Sequence, residues 1–144
     1  MKIRSDFVTN SSSSSYVIAY RKNIDIDEDT KKKHPFVKLY DRLIQSIIDS
    51  VDYCDTEEAT VYETREDYDR YFLEGNSYYG SSVDEILKNN EYARDEYEEV
   101  CKYFADGYSV MRKRVGDHNN GLIDMIKTMS EDNDDFIVLS GDEY

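Results

Sequence analysis

Residues 35–51 read PFVKLYDRLIQSIIDSV, the clearest helical pattern in the chain, and the predicted strands lie before and after it. Pro35 suits the first turn of a helix, where a backbone N–H has no partner to lose. The apolar residues recur at intervals of three and four, which places them on one helical face: Phe36, Tyr40, Leu43, Ile44, Ile47, Ile48 and Val51. The stretch therefore predicts a helix with one buried side.

Segments with the composition of β-strands lie on both sides of this helix. Residues 16–20 (YVIAY) precede it, and residues 59–63 (ATVYE) follow it with the alternation of a short strand. Residues 108–115 are rich in β-forming side chains, and residues 136–139 (FIVL) form a short apolar run of the kind found in buried strands. The chain therefore contains four predicted strands.

Capping signals mark the remaining helices. Thr64, with an acid three residues later, predicts a short helix that stops at Gly75. Ser82 with Glu85 forms a better capping box, and we expect one long helix from there to Gly107. Residues 122–129 predict a last short helix.

The predicted order is thus β-α-β-α-α-β-α-β, which indicates an α/β or α+β fold. We expect a small four-stranded sheet packed with about four helices. Residues 1–144 fit a single acidic domain. Residues 1–15 would form an N-terminal segment with a serine tract, either a flexible linker or a tethered loop, and residues 16–144 the folded body.

The charge of the chain indicates its class of partner. It carries 32 Asp and Glu against 18 Lys and Arg, a net charge of −14, together with 14 tyrosines. Such a surface repels nucleic acid and anionic membranes, so we expect neither to bind, and it suits a basic groove of a protein that binds nucleic acid. No apolar stretch approaches the roughly 20 residues of a membrane span, which predicts a cytoplasmic protein.

Motifs for catalysis are missing from the sequence. The six glycines are dispersed, no Gly-x-Ser-x-Gly is present, and only two histidines are available to activate a nucleophile. The sequence therefore predicts a protein that is not an enzyme and needs no cofactor. A metal-dependent enzyme or modifying factor, whose carboxylates hold a cation such as Mg²⁺, stays open as an alternative.

A structural zinc site is a second open alternative. The soft ligands of the chain would together make a Cys₂His₂ set: Cys54, Cys101, His34 and His118. Three nearby acids could replace one histidine: Asp52, Asp55 and Asp117. The spacing contains no short Cys-x-x-Cys pair, so reduced thiols and surface imidazoles are the favoured interpretation.

The acidic, tyrosine-rich middle of the chain is the candidate binding site. Its members are Glu91, Tyr92, Asp95, Glu96, Glu98 and Glu99 on the predicted long helix, with Tyr78 and Tyr79 before it. Helical spacing gives the carboxylates a broad outward face that can imitate a track of phosphates. An ordinary solvated helix gives the same pattern, but tyrosine is enriched at the centres of interfaces.

Residues 3–18, IRSDFVTNSSSSSYVI, resemble an N-terminal segment found in otherwise dissimilar small proteins of phages and mobile elements. This resemblance covers only the first eighteen residues or so. In size, charge and lack of a catalytic motif the chain is similar to the anti-CRISPR proteins, which block Cas nucleases. The resemblance implies an inhibitor of a Cas9-type nuclease in the host cell, or else a small virion or assembly protein.

Overall fold

The fold is α+β, as seen in a computed structural model that describes residues 13–52 and 55–141. The elements are β1 (Ser13–Tyr20), α1 (Glu28–Lys33), a 3₁₀ helix (Pro35–Leu39), α2 (Tyr40–Asp49), β2 (Thr60–Tyr62), α3 (Arg65–Gly75), α4 (Val83–Asn89), α5 (Glu91–Ala105), β3 (Ser109–Gly116), α6 (Asn120–Ser130) and β4 (Phe136–Ser140). All four predicted strands are present. The predicted order is confirmed in outline, with additional helical segments.

The strands form one sheet in the order β2-β3-β1-β4. β1 and β4 are antiparallel, with Tyr20 opposite Phe136, and the register shifts between Val17 and Ile18. The chain divides into two compact units. We call Met1–Thr60 with Met111–Tyr144 the sheet unit, and Val61–Val110 the helical unit.

The core of the sheet unit includes the predicted face of α2. Tyr40, Ile44, Ile47 and Ile48 are buried, but Phe36 is 76% exposed. The predicted helix starts later than expected because residues Pro35–Leu39 form a 3₁₀ helix, whose three residues per turn break the 3.6-residue spacing. The apolar pattern therefore correctly located the buried face of α2, but Phe36, which the pattern placed on that face, points to solvent.

The serine tract contributes to the sheet. β1 begins at Ser13, before the predicted start of the folded body at residue 16. The last serines of the tract therefore belong to the sheet and not to the N-terminal segment. Ser13 Oγ accepts a hydrogen bond of 3.0 Å from Arg114 Nε. Residues 1–12, which carry most of the phage-type segment, lie outside the described residues.

Lys113 is the one fully buried cation that the described ranges contain, and it lies on β3. Its Nζ donates to the main-chain oxygens of Ser50 and Glu57, each at 2.5 Å, and to that of Ile48 at 3.5 Å. Because burial removes water from the ammonium group, it lowers the pKa of Lys113. The side chain thus joins the end of α2 to the segment before β2.

In the helical unit the capping predictions hold, but the expected long helix is two helices. Thr64 and Ser82 cap α3 and α4 by accepting from the N–H groups of Asp67 and Glu85. Asn90 separates α4 from α5, since its extended backbone (φ −133°, ψ 98°) cannot continue a helix. Gly107, at φ 87°, follows the end of α5 as predicted.

Candidate partner interface

Two tyrosine–carboxylate hydrogen bonds fix the orientation of α5 on α3. The hydroxyl of Tyr68 on α3 donates to Glu96 on α5 at 2.8 Å, and the hydroxyl of Tyr97 on α5 donates to Asp69 on α3 at 2.6 Å. Tyr68 is fully buried and Tyr97 is 3% exposed. Each helix therefore supplies one donor and one acceptor, and this pairing determines which face of α5 points outward.

Aromatic packing surrounds these bonds. The ring of Tyr97 lies 4.7 Å from that of Phe72 and 5.9 Å from that of Tyr68, between centroids. Arg65 Nη2 donates to the Tyr97 hydroxyl at 3.3 Å. Burial and the bond to Asp69 raise the pKa of Tyr97 well above the ordinary value of 10.0 for tyrosine. Tyr97 is thus a protonated core donor, not a surface residue.

Four of the predicted carboxylates lie on the opposite, exposed side of α5: Glu91, Asp95, Glu98 and Glu99. We call these four residues the acidic stripe. Arg94 Nη2 approaches Glu91 at 3.7 Å, an exposed contact that contributes little. Glu96, expected among the outward carboxylates, is instead half-buried and bonded to Tyr68. The structure therefore assigns one predicted interface acid to the internal packing.

The predicted tyrosines lie next to the start of the acidic stripe. Tyr78 and Tyr79 occupy the turn after α3, with their rings edge to face at 5.2 Å. Asn89 Nδ2 donates to the main-chain oxygen of Tyr79 at 2.8 Å, and Asn90 Nδ2 donates to Asn76 Oδ1 at 3.3 Å. The turn is therefore bonded to the junction that immediately precedes Glu91.

Exposure distinguishes Tyr78 and Tyr92 from the other tyrosines of the helical unit, whereas Tyr79 differs little from Tyr71, which is 36% exposed. Tyr78 and Tyr92 are each 91% exposed, and Tyr79 is 39% exposed. A tyrosine with its ring in water has large contact area to offer a partner at small entropic cost. The acidic stripe and these three tyrosines together form the candidate interface.

Sequence patterns alone did not identify the residues that hold this interface together. Asp69 looks like any other exposed helix acid, and Asn76, Asn89 and Asn90 look like loop residues. The sequence Asn89-Asn90-Glu91 could have indicated that a new helix starts here, because asparagine is a strong N-cap residue. In the structure Asn90 Oδ1 accepts from the Ala93 N–H at 3.2 Å.

The predicted metal ligands do not form a binding cluster in the part of the chain that the structure describes, although His118 and Asp52 lie close together. Residues 13–52 and 55–141 contain no group of three or more His, Cys, Asp or Glu arranged to hold a metal ion. Cys54 lies outside these residues. His34 is exposed, and His118 Nε2 lies 3.5 Å from Asp52. The zinc site stays a prediction.

The surroundings of Cys101 also disfavour a reactive thiol, because they raise its pKa. It lines a groove of about 340 Å³ in the helical unit with Arg65, Phe104 and Tyr108. Burial raises the pKa of Cys101, although Arg65 opposes this effect. A nucleophilic cysteine needs a lowered pKa, so this environment favours the inert thiol.

None of the helices within the described ranges is both long enough and apolar enough to span a bilayer. No protein-family model, no curated protein and no solved structure matches the chain.

Proposed function

We propose that this protein is a binding module that occupies the basic nucleic-acid groove of another protein and thereby blocks nucleic-acid loading. The observation that carries the proposal is the acidic stripe, held outward on α5 by the Tyr68–Glu96 and Tyr97–Asp69 bonds. Because the backbone that carries these carboxylates is already helical, only their side chains need ordering when they meet a partner. Less conformational entropy is then lost on binding.

Charge explains why such a surface would find a basic groove. The net charge of −14 draws the whole molecule toward positive potential, and oriented carboxylates then fix the docking geometry. The exposed rings of Tyr78 and Tyr92 supply apolar contact area at the same place. The proposal therefore combines fast electrostatic association with a tyrosine-based contact.

The resemblance of the N-terminal segment to phage and mobile-element proteins makes a Cas9-type nuclease the partner to test first. Cas9 holds its guide–target duplex in a positively charged channel, so it offers the required chemistry. The test therefore uses an immobilised Cas9–guide RNA complex. Two further basic proteins stand beside it: an OB-fold protein that binds single strands and a helix-turn-helix protein that binds duplexes.

Binding of the full chain to these three proteins is measured at low and at raised salt. We expect binding to at least one, with affinity that falls as salt rises. The double variant Asp95→Lys with Glu98→Lys should weaken that binding at least tenfold. The matched control is Asp124→Lys with Glu131→Lys, which reverses two exposed acids of the sheet unit and changes the net charge from −14 to −10 in the same way.

The control separates a local site from the net charge. If both double variants lose affinity equally, attraction by total charge accounts for the binding, and the proposed site is wrong. If none of the three proteins binds, the proposed function itself is overturned. Circular dichroism of both variants confirms that the fold is intact, so a loss of binding reports on the surface.

A further inference from the structure

One asparagine in the described ranges combines an unbonded side chain with a glycine directly after it. Five others are held by side-chain hydrogen bonds: Asn76, Asn89, Asn90, Asn119 and Asn133. The remaining two are Asn23, which precedes the β-branched Ile24, and Asn120, which precedes Gly121. A β-branched side chain crowds its own main-chain nitrogen, whereas glycine leaves that nitrogen open. Asn120 is therefore the side chain best placed to react with the main chain that follows it.

Asn120 and Gly121 lie at the exposed start of α6. The first N–H groups of a helix have no acceptor within that helix. Asn119 caps the N–H of Leu122 at 3.3 Å, but no residue of the ranges 13–52 and 55–141 accepts from the Gly121 N–H. The Asn120 amide and the Gly121 nitrogen are thus both accessible and uncommitted.

Gly121 also weakens the turn that restrains Asn120. Glycine is less favourable in a helix than alanine, because it loses more main-chain freedom on folding. Packing does not require a glycine here, since a Cβ at this position would meet nothing within 4 Å. The first turn of α6 therefore opens more readily than it would with alanine. Asn120 can then leave the helical dihedral angles, which hold its Cγ away from the line of attack by the Gly121 nitrogen.

We propose that Asn120 is a site of spontaneous deamidation, at which the Gly121 nitrogen attacks Asn120 Cγ. A bond forms between these two atoms, the bond from Cγ to Nδ2 breaks, and ammonia leaves with the proton of the Gly121 nitrogen. Water then opens the cyclic imide at one of its two carbonyls, which gives aspartate or isoaspartate. The overall reaction converts an amide into a carboxylic acid, consumes one water and releases one ammonia, so no oxidant or reductant takes part.

Isoaspartate at this position would disturb the contacts that Asn119 makes. Asn119 Nδ2 lies 3.4 Å both from Asp52 Oδ2 and from Thr56 Oγ1, and Thr56 Oγ1 accepts from the Gly116 N–H at 2.9 Å. Isoaspartate routes the main chain through its side chain and so lengthens it by one carbon, directly after the cap. That extra carbon displaces α6 from Asn119. The modification therefore loosens the connection between α6 and the end of β3.

Ageing of the purified full chain at physiological temperature and neutral pH tests the proposal. Fragmentation of the tryptic peptide 115–127 locates the gain in mass, and isoaspartyl methyltransferase identifies isoaspartate. Asn76 is the internal control, because the small Ser77 follows it but its side chain donates to the Phe72 main-chain oxygen at 3.0 Å. We expect deamidation at Asn120 at least tenfold faster than at Asn76.

Variants test the roles of the glycine and of the cap. Gly121→Ala should slow the reaction at least tenfold, because it strengthens the turn and crowds the attacking nitrogen. Asn119→Ala removes the cap and should speed the reaction. Gly75→Ala is the matched control: a Cβ there also meets nothing within 4 Å, and the rate at Asn120 should not change.

The consequence for stability has its own comparison. Aged wild type should unfold at lower urea concentration as its isoaspartate content rises, whereas Asn120→Asp, which has the product charge and a normal main chain, should not. Equal stability of aged and fresh protein would contradict the loosened connection. Deamidation at Asn120 no faster than at Asn76, or an unchanged rate in Gly121→Ala, would overturn the proposed site. Neither result touches the proposed function, since the acidic stripe takes no part in this reaction.

Discussion

Asn90 donates a hydrogen bond from Nδ2 to Asn76 Oδ1, 3.3 Å away, while its own Oδ1 accepts from the N–H of Ala93 at 3.2 Å. One side chain thus caps α5 and holds the turn that carries Tyr78 and Tyr79. This double role connects the stability of a helix with the position of two candidate interface residues. It also allows the two roles to be separated by substitution.

Replacement of Asn90 should separate the contribution of its helix cap from that of its bond to Asn76. Asn90→Ala removes both bonds and should lower the free energy of unfolding by about 1 kcal/mol, the usual value of an N-cap. Asn90→Ser keeps a capping oxygen, so most of that stability should remain, while the bond to Asn76 is lost. Urea denaturation measures both variants, and equal destabilisation by the two would contradict the capping role.

The Tyr97 hydroxyl should contribute measurably to stability. Tyr97→Phe removes the donor to Asp69 and leaves that partly buried carboxylate without it, which should lower the free energy of unfolding by about 1–3 kcal/mol. Tyr92→Phe is the matched control, since its ring is 91% exposed and the change should stay within about 0.5 kcal/mol. Thermal or urea unfolding of both variants gives the comparison.

Alkaline pH should remove part of the contribution of Tyr97. Its pKa is raised in the folded protein above the ordinary 10.0, so its stabilisation is complete below pH 10.0. Above that pH the unfolded chain loses the phenolic proton first, and stability falls as pH rises toward the folded pKa. The stability difference between the wild type and Tyr97→Phe should therefore stay constant up to about pH 10.0 and shrink as the pH rises above that value.

The comparison of the wild type with Tyr97→Phe also cancels the contribution of Lys113, which titrates in the same pH range. The contribution of Lys113 to stability changes with pH in the opposite direction. Burial lowers the pKa of Lys113 in the folded protein, whereas in the unfolded chain this lysine keeps its proton up to its ordinary pKa of 10.5. Its effect is common to both proteins and cancels in the difference. A difference that stays constant above pH 10.0 would show that the raised pKa of Tyr97 is wrong.

Lys113 should be essential to the sheet unit. Lys113→Met preserves length but leaves the main-chain oxygens of Ser50 and Glu57 without their donor, so unfolding should become easier by about 2 kcal/mol or more. Ile48 O keeps a bond from the Ala59 N–H. Lys38→Met, at an exposed site, should change stability by less than about 0.5 kcal/mol. A similar small loss in Lys113→Met would show that water replaces the ammonium group.

Local sequence determined the type and order of most elements. Three- and four-residue spacing located the buried side of α2 at Ile44, Ile47 and Ile48, and short-range hydrogen bonds placed the caps at Thr64 and Ser82. Such features depend on residues a few positions apart, so they can be read along the chain. The same logic correctly indicated that acids recur along the outer face of α5.

The same local rules were insufficient where one residue serves two elements. The apolar spacing from Ser82 to Gly107 continues through Asn90, but the bond of Asn90 to Asn76 accompanies an extended backbone there and divides the helix. Likewise, the start of β1 at Ser13 is seen only in the sheet, because an isolated serine run has no strand preference of its own.

By itself, the sequence determined the strand and helix pattern and the acidic, tyrosine-rich character of α5, because these follow from composition and spacing. Only the tertiary structure decided which acids face outward. Glu96 and Asp69 are chemically equal to Asp95 and Glu98, yet Tyr68 and Tyr97, 28 positions away from them, bind the first two and leave the second two on the surface. Contacts between residues so far apart in the chain depend on how α3 packs on α5, which no local pattern encodes.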